Sequence, residues 1–87
     1  MSYQGWKNWE TWNVALWFGN DRVLYEDVRS HRDRFTAKTA MDFVLERLPG
    51  GTPDMISQDL KPSEIHAAYG RVGWAEIARD FNEMKGA

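Results

Sequence analysis

Residues 6–21 read Trp6-Lys7-Asn8-Trp9-Glu10-Thr11-Trp12-Asn13-Val14-Ala15-Leu16-Trp17-Phe18-Gly19-Asn20-Asp21, and this stretch decides the fold class. Asn8 suits an N-cap, because its side-chain oxygen can accept from the unpaired N–H groups of a first turn. Glu10 follows where the positive end of a helix favours an acid. On a 100° wheel Trp9, Trp12 and Leu16 share one face, Val14 and Phe18 lie opposite, and Trp17 flanks the first group. Apolar groups on two sides predict a central helix packed on more than one face. Gly19 and Asn20 mark its end, since both tolerate the left-handed conformation that closes many helices.

Outward from this helix the pattern stays helical. Residues 1–7 form a polar, Gly-containing lead-in, and Asp21 can cap a second helix over 22–34, with Leu24, Val28, His31 and Phe35 as a one-sided stripe. Thr36 caps a third, with Ala37, Ala40, Met41, Val44, Leu45 and Leu48 inward, and Pro49-Gly50-Gly51 ends it. Thr52-Pro53-Asp54 and Pro62-Ser63-Glu64 predict two short helices, the second closed by Gly70. From Gly73 the spacing of Trp74, Ile77, Ala78, Phe81 and Met84 predicts a last amphipathic helix, with Glu76, Arg79, Asp80 and Glu83 outside. No segment alternates as a strand does. The expectation is an all-α fold: one compact domain over residues 1–87, a bundle of about four main helices with short helical connectors.

Composition bounds the rest. Eighty-seven residues make one domain, and a chain this short buries only about 60–65% of its unfolded surface. Five Trp, four Phe and three Tyr then become the means of building a core, with Trp9, Trp12 and Trp74 packed inward and Asn13 bonded to a neighbouring loop. There is no Cys, hence no disulfide and no thiolate metal site, and His31 and His66 have no ligand-like spacing. No cofactor is expected. The N-terminus does not resemble a signal peptide and no apolar run approaches the ~18 residues of a membrane span, so a reducing cytoplasm is expected. A formal charge of −2 argues against a protein that coats nucleic acid and equally against a densely acidic DNA mimic.

Candidate catalytic groups are sparse. Glu76 and Asp80 at i, i+4 and Asp80 and Glu83 at i, i+3 share faces, but acid–base work needs a cleft and a shifted pKa, which an outward helical position rarely supplies. No G-x-S-x-G and no phosphate-binding loop occurs, so no catalytic residue is expected. Binding is the better prospect. Trp6, in a polar segment, and Trp17, flanking its helix, are candidate interface anchors. Arg29, Arg32 and Arg34 form the one basic cluster, suited to an acidic protein surface or a phosphate backbone. Glu76, Asp80 and Glu83 make an acidic face for a basic protein groove.

Asn8-Trp9-Glu10-Thr11-Trp12-Asn13-Val14-Ala15-Leu16-Trp17, followed by Asn20-Asp21 and Tyr25, resembles a group of small proteins of phages, plasmids and genomic islands that carry an N-[WY]-x-T-W-N-V-x-L-W run. Trp74-Ala75-Glu76-Ile77-Ala78 is similar to their second landmark, W-x-E-I-A, at the start of the last helix. Genes of this kind often lie among those that counter restriction or CRISPR immunity. The resemblance therefore implies a non-enzymatic inhibitor, of anti-CRISPR or antirestriction type, that binds a protein complex of a bacterial defence system in the host cytoplasm. It transfers no catalytic residue. A small nucleic-acid-binding or regulatory protein of a mobile element is the alternative, and a structural phage protein a third. Oligomeric state is not legible.

Overall fold

The computed structural model describes residues 3–86, and among them six helices follow in order: α1 (Trp9–Asn20), α2 (Arg22–Ser30), α3 (Ala37–Arg47), α4 (Pro53–Ser57), α5 (Pro62–Gly70) and α6 (Trp74–Gly86). The all-α expectation holds, with α4 and α5 as the short connectors. Asn8 caps α1 by accepting from the Thr11 backbone at 2.9 Å and from the Thr11 hydroxyl at 2.6 Å. The helix ends at Asn20, though not through a left-handed residue. Instead Asp21 turns extended (φ −78°, ψ 124°), donates its N–H to the Trp17 carbonyl, and accepts from the Leu24 N–H at 3.0 Å to open α2.

The centre of the bundle is α6 rather than α1: α6 packs against α1, α2 and α3. Its Phe81, fully buried, stands 5.3 Å from the Phe18 ring, 5.0 Å from Phe35 and 5.9 Å from Phe43, measured between centroids. Such tilted and edge-on pairs are the geometry aromatic quadrupoles favour. The core is thus a cluster of phenylalanines surrounded by Val14, Val28, Val44, Met55 and Ile77. Trp9, Trp12 and Trp74 were expected inside, but they are only half-buried, as are Trp6 and Trp17. Trp6, Trp9 and Trp74 lean against the core from outside. A bicyclic ring at the margin keeps its apolar body dry and its N–H available, which the small interior of a short chain does not allow.

Helix α2 stops at Ser30, four residues before its predicted end. The apolar stripe Leu24-Val28-His31-Phe35 fits a continuous helix, yet the chain takes another route to the same burial. His31 turns extended (φ −64°, ψ 132°), the chain bends at Arg32 and Asp33, and Asn82 of α6 grips both backbone groups of Phe35, accepting from its N–H at 2.8 Å and donating to its carbonyl at 3.0 Å. His31 stacks on Phe35 at 4.3 Å as a boundary residue. Thr36 then caps α3 reciprocally with Thr39.

Polar side chains of α1 and its N-cap fasten it to the start of α4 and to the loop after α5. Asn8 donates to the Arg71 carbonyl at 2.7 Å, and the Thr11 hydroxyl accepts from the Gly73 N–H at 2.8 Å. Asn13, fully buried, donates to Asp54 at 2.6 Å and accepts from the Thr52 hydroxyl, which also caps α4. The expected bond from Asn13 to a neighbouring loop is therefore present. Gly51 enters this region with φ +100°, and a Cβ there would come within 2.9 Å of the Ile65 side chain, so the turn admits little else.

Because Phe81 is at the centre and Trp9 at the margin, Phe81→Ala should cost about 3–5 kcal/mol in urea unfolding. That is a large part of the ~5–15 kcal/mol typical of a domain. Trp9→Ala should cost clearly less, although it removes the larger side chain. An equal or greater loss from Trp9→Ala would show that the tryptophans carry the core.

Candidate functional site

Of the eight residues that the sequence nominates for binding, four come together. The N-terminal segment is not a loose lead-in: Tyr3 and Trp6 pair across a two-residue turn, with N–H to carbonyl distances of 2.6 and 2.8 Å. Gln4 (φ 49°) and Gly5 (φ 90°) are both left-handed, as turns that match strand twist require. The turn lies back on α1, with the Tyr3 ring 4.8 Å from Trp12. Trp6 is thereby held beside α6. A hollow of about 260 Å³ between them is lined by Gly5, Trp6, Glu76, Arg79, Asp80 and Glu83.

A second hollow, about 310 Å³, adjoins the first and shares Trp6 and Asp80 with it. Its other walls are apolar or nearly so: Trp12, Leu16, Tyr25 and Met84, with Ala15 and Gly19 as its small members. The two form one groove, acidic at one end and aromatic along the other. Sequence reading placed Asp80 outside with its neighbours, but the groove leaves it only partly exposed. Burial, and then repulsion from Glu83, push its carboxyl above the usual carboxylate range. Glu76 accepts from the Lys7 backbone N–H at 3.2 Å, and among the described residues Arg79 is the one cation lining the acidic end. Among the described residues Asp80 and Glu83 make no ion pair or side-chain hydrogen bond.

This gives Asp80 the cleft and the shifted carboxyl that acid–base chemistry would need. Among the described residues no Ser, Thr, His or Lys lines either hollow; the groups beside Asp80 that can exchange a proton are Glu76, Glu83 and Tyr25. No group of three metal-ligating side chains occurs among the described residues.

The other four nominated residues lie elsewhere. Trp17 is half-buried and spends its indole N–H on Asp54 at 2.8 Å, so it braces the α1–α4 junction. Asp54 receives both Asn13 and Trp17, and these two hydrogen bonds hold its carboxyl below the ordinary range. Arg29 lies over the Tyr25 ring, 5.8 Å from its centroid, in the last turn of α2. Arg32 and Arg34 are exposed in the non-helical segment after α2, so the helical face expected to align Arg29 with Arg32 does not exist. Trp12, Leu16, Tyr25 and Met84 were missed as groove residues. Their helical spacing reads only as apolar packing, and the turn that completes the groove had one sequence signal, Gly5.

A further apolar surface runs between α3 and α5, where hollows of about 220 and 240 Å³ share Leu45, His66 and Tyr69. Tyr69 is buried there, its hydroxyl donates to the Leu48 carbonyl at 2.6 Å, and burial pushes it up to about 12. No helix among the described residues is long and apolar enough to cross a membrane.

Fold and site together define a small all-α domain with one acid-ended aromatic groove. The chain belongs to the DUF7249 family, a family of unknown function, whose model matches residues 1–86. No curated protein and no solved structure matches it.

A carboxyl raised in the folded state takes up its proton more readily there than in the unfolded chain. Folding is then weakened as pH rises through the ordinary carboxylate range, and the penalty is fully present at neutrality. Asp80→Asn should therefore raise the melting temperature at pH 7, with the gain shrinking as pH falls through the raised folded value and gone below about pH 4, where Asp80 is protonated in both states. A gain of the same size at pH 3 and pH 7 would mean that charge at Asp80 is not the cause.

Proposed function

We propose that this chain is a non-enzymatic protein-binding module that inhibits a bacterial defence complex, of anti-CRISPR or antirestriction type, by covering a surface the complex needs. The groove between Trp6 and α6 carries the binding half of this reading. It offers an aromatic anchor fixed by a tight turn, apolar walls, and two carboxylates, Asp80 and Glu83, without partners among the described residues. Rigid aromatics in a desolvated setting are what concentrates binding energy at protein interfaces, while flanking charge sets orientation and on-rate. The target half rests on the motif run from Asn8 to Trp17 and its resemblance to proteins of mobile elements. The host cytoplasm is the corresponding place of action.

Nucleic acid is disfavoured at this groove, since phosphates would meet Glu76, Asp80 and Glu83. Capture of a tagged chain from lysates containing restriction and CRISPR complexes tests the reading. A defence component should be recovered, Trp6→Ala and Glu83→Lys should each reduce recovery strongly, and Arg32→Glu with Arg34→Glu should leave it unchanged. Recovery of no defence component across several system types overturns the proposal. Retention on DNA with a steep salt dependence would favour a nucleic-acid-binding role through the arginines instead.

A further inference from the structure

We propose that the groove receives an Arg- or Lys-bearing apolar segment of a partner protein, its cation seated among Trp6, Asp80 and Glu83 and its apolar neighbours against Trp12, Leu16, Tyr25 and Met84. This rests on the protein-binding reading above and specifies the chemistry of the partner. Three features of the groove select that occupant.

The first is charge. Among the described residues Arg79 is the one cation lining the acidic end with Glu76, Asp80 and Glu83, and Asp80 and Glu83 have no ion pair there. An anionic occupant would be repelled. A wholly apolar one would strip water from Asp80 and leave its carboxylate buried without compensation, which is strongly unfavourable. A cation relieves both the desolvation and the Glu83 repulsion that already disfavour the charged form of Asp80. From α2 only the neutral Tyr25 faces Asp80 across the second hollow.

The second is the aromatic wall. Trp6 lines both hollows, and indole is the ring whose face attracts cations most strongly. Its position is set in advance by the paired turn Tyr3–Trp6, so little ordering is left for the moment of binding. The third is extent. The hollows, about 260 and 310 Å³, are continuous through Trp6 and Asp80, and a lone ammonium or metal ion would occupy the acidic end and leave the apolar end open to water. A segment with a cation beside apolar side chains fills both.

The test is a titration of the full-length ¹⁵N-labelled chain with a capped amphipathic Arg/Leu peptide, its citrulline/Leu counterpart and a Glu/Leu counterpart. The Arg/Leu peptide should shift the indole N–H resonances of Trp6 and Trp12, and its affinity should fall about tenfold or more with Asp80→Asn plus Glu83→Gln, a variant whose spectrum reports that the fold is intact. The other two peptides should not bind there. No binding by the Arg/Leu peptide, equal binding by the citrulline peptide, or shifts confined to other surfaces each overturn the inference. Shifts of the same indoles with protein concentration alone would assign the groove to a second copy of this chain and overturn it as well. Binding of the peptide with no capture of a defence component would leave this inference standing and remove the proposed target. Capture that survives Asp80→Asn plus Glu83→Gln would do the reverse.

Discussion

Asn13 has no exposed surface, and its amide must find partners inside the protein or leave donors and acceptors stripped of water. It finds them in the segment that opens α4: the Thr52 hydroxyl donates to its carbonyl oxygen and Asp54 accepts from its nitrogen. Asp54 in turn takes the Trp17 indole N–H, and Thr52 caps α4. With Asn8 on Arg71 and Thr11 on Gly73, polar groups on two sides of α1 specify where both ends of the segment holding α4 and α5 lie. No side-chain nitrogen or oxygen buried among the described residues lacks a partner. A half-satisfied network of this kind would be worse than an apolar core, so its completeness is what makes α1 specific rather than merely sticky.

This gives the signature N-W-x-T-W-N-V-x-L-W a physical meaning. Its polar members Asn8, Thr11 and Asn13, with the Trp17 N–H, are all engaged in holding the fold, and Val14 is buried. Only Trp12 and Leu16 of the run also face the groove, and they do so through apolar surface. The rest of the groove comes from residues outside the motif, on the N-terminal turn, in α2 and on the outer side of α6.

Much of this was legible beforehand where the cause is local. Asn8, Asp21, Thr36 and Thr52 each cap the helix they precede, because capping depends on a side chain and the next three residues. What failed was decided at long range. The spacing of Leu24, Val28, His31 and Phe35 suits a helix to residue 34, and only the grip of Asn82 on Phe35, 47 residues away, replaces its last turn by non-helical chain. Likewise composition pointed to tryptophans in the core, whereas the interior, small and lined by apolar residues of all six helices, accommodates phenylalanines and leaves each indole at the margin. At the site, Trp6 and the three carboxylates could be nominated singly. Their meeting depends on a turn closed by two backbone bonds, which no periodicity announces.

The central claim is that Asn13 and its partners are coupled and that this coupling positions the loops on α1. A double-mutant cycle in urea at pH 7 on Asn13→Ala and Asp54→Ala measures it directly. The account predicts a coupling of about 1 kcal/mol or more. It also predicts that the coupling fades as pH falls below the ordinary carboxylate range, because a carboxyl held low in the folded state contributes stability that is lost when it protonates. Additive single effects, each below about 0.5 kcal/mol and insensitive to pH, would contradict it.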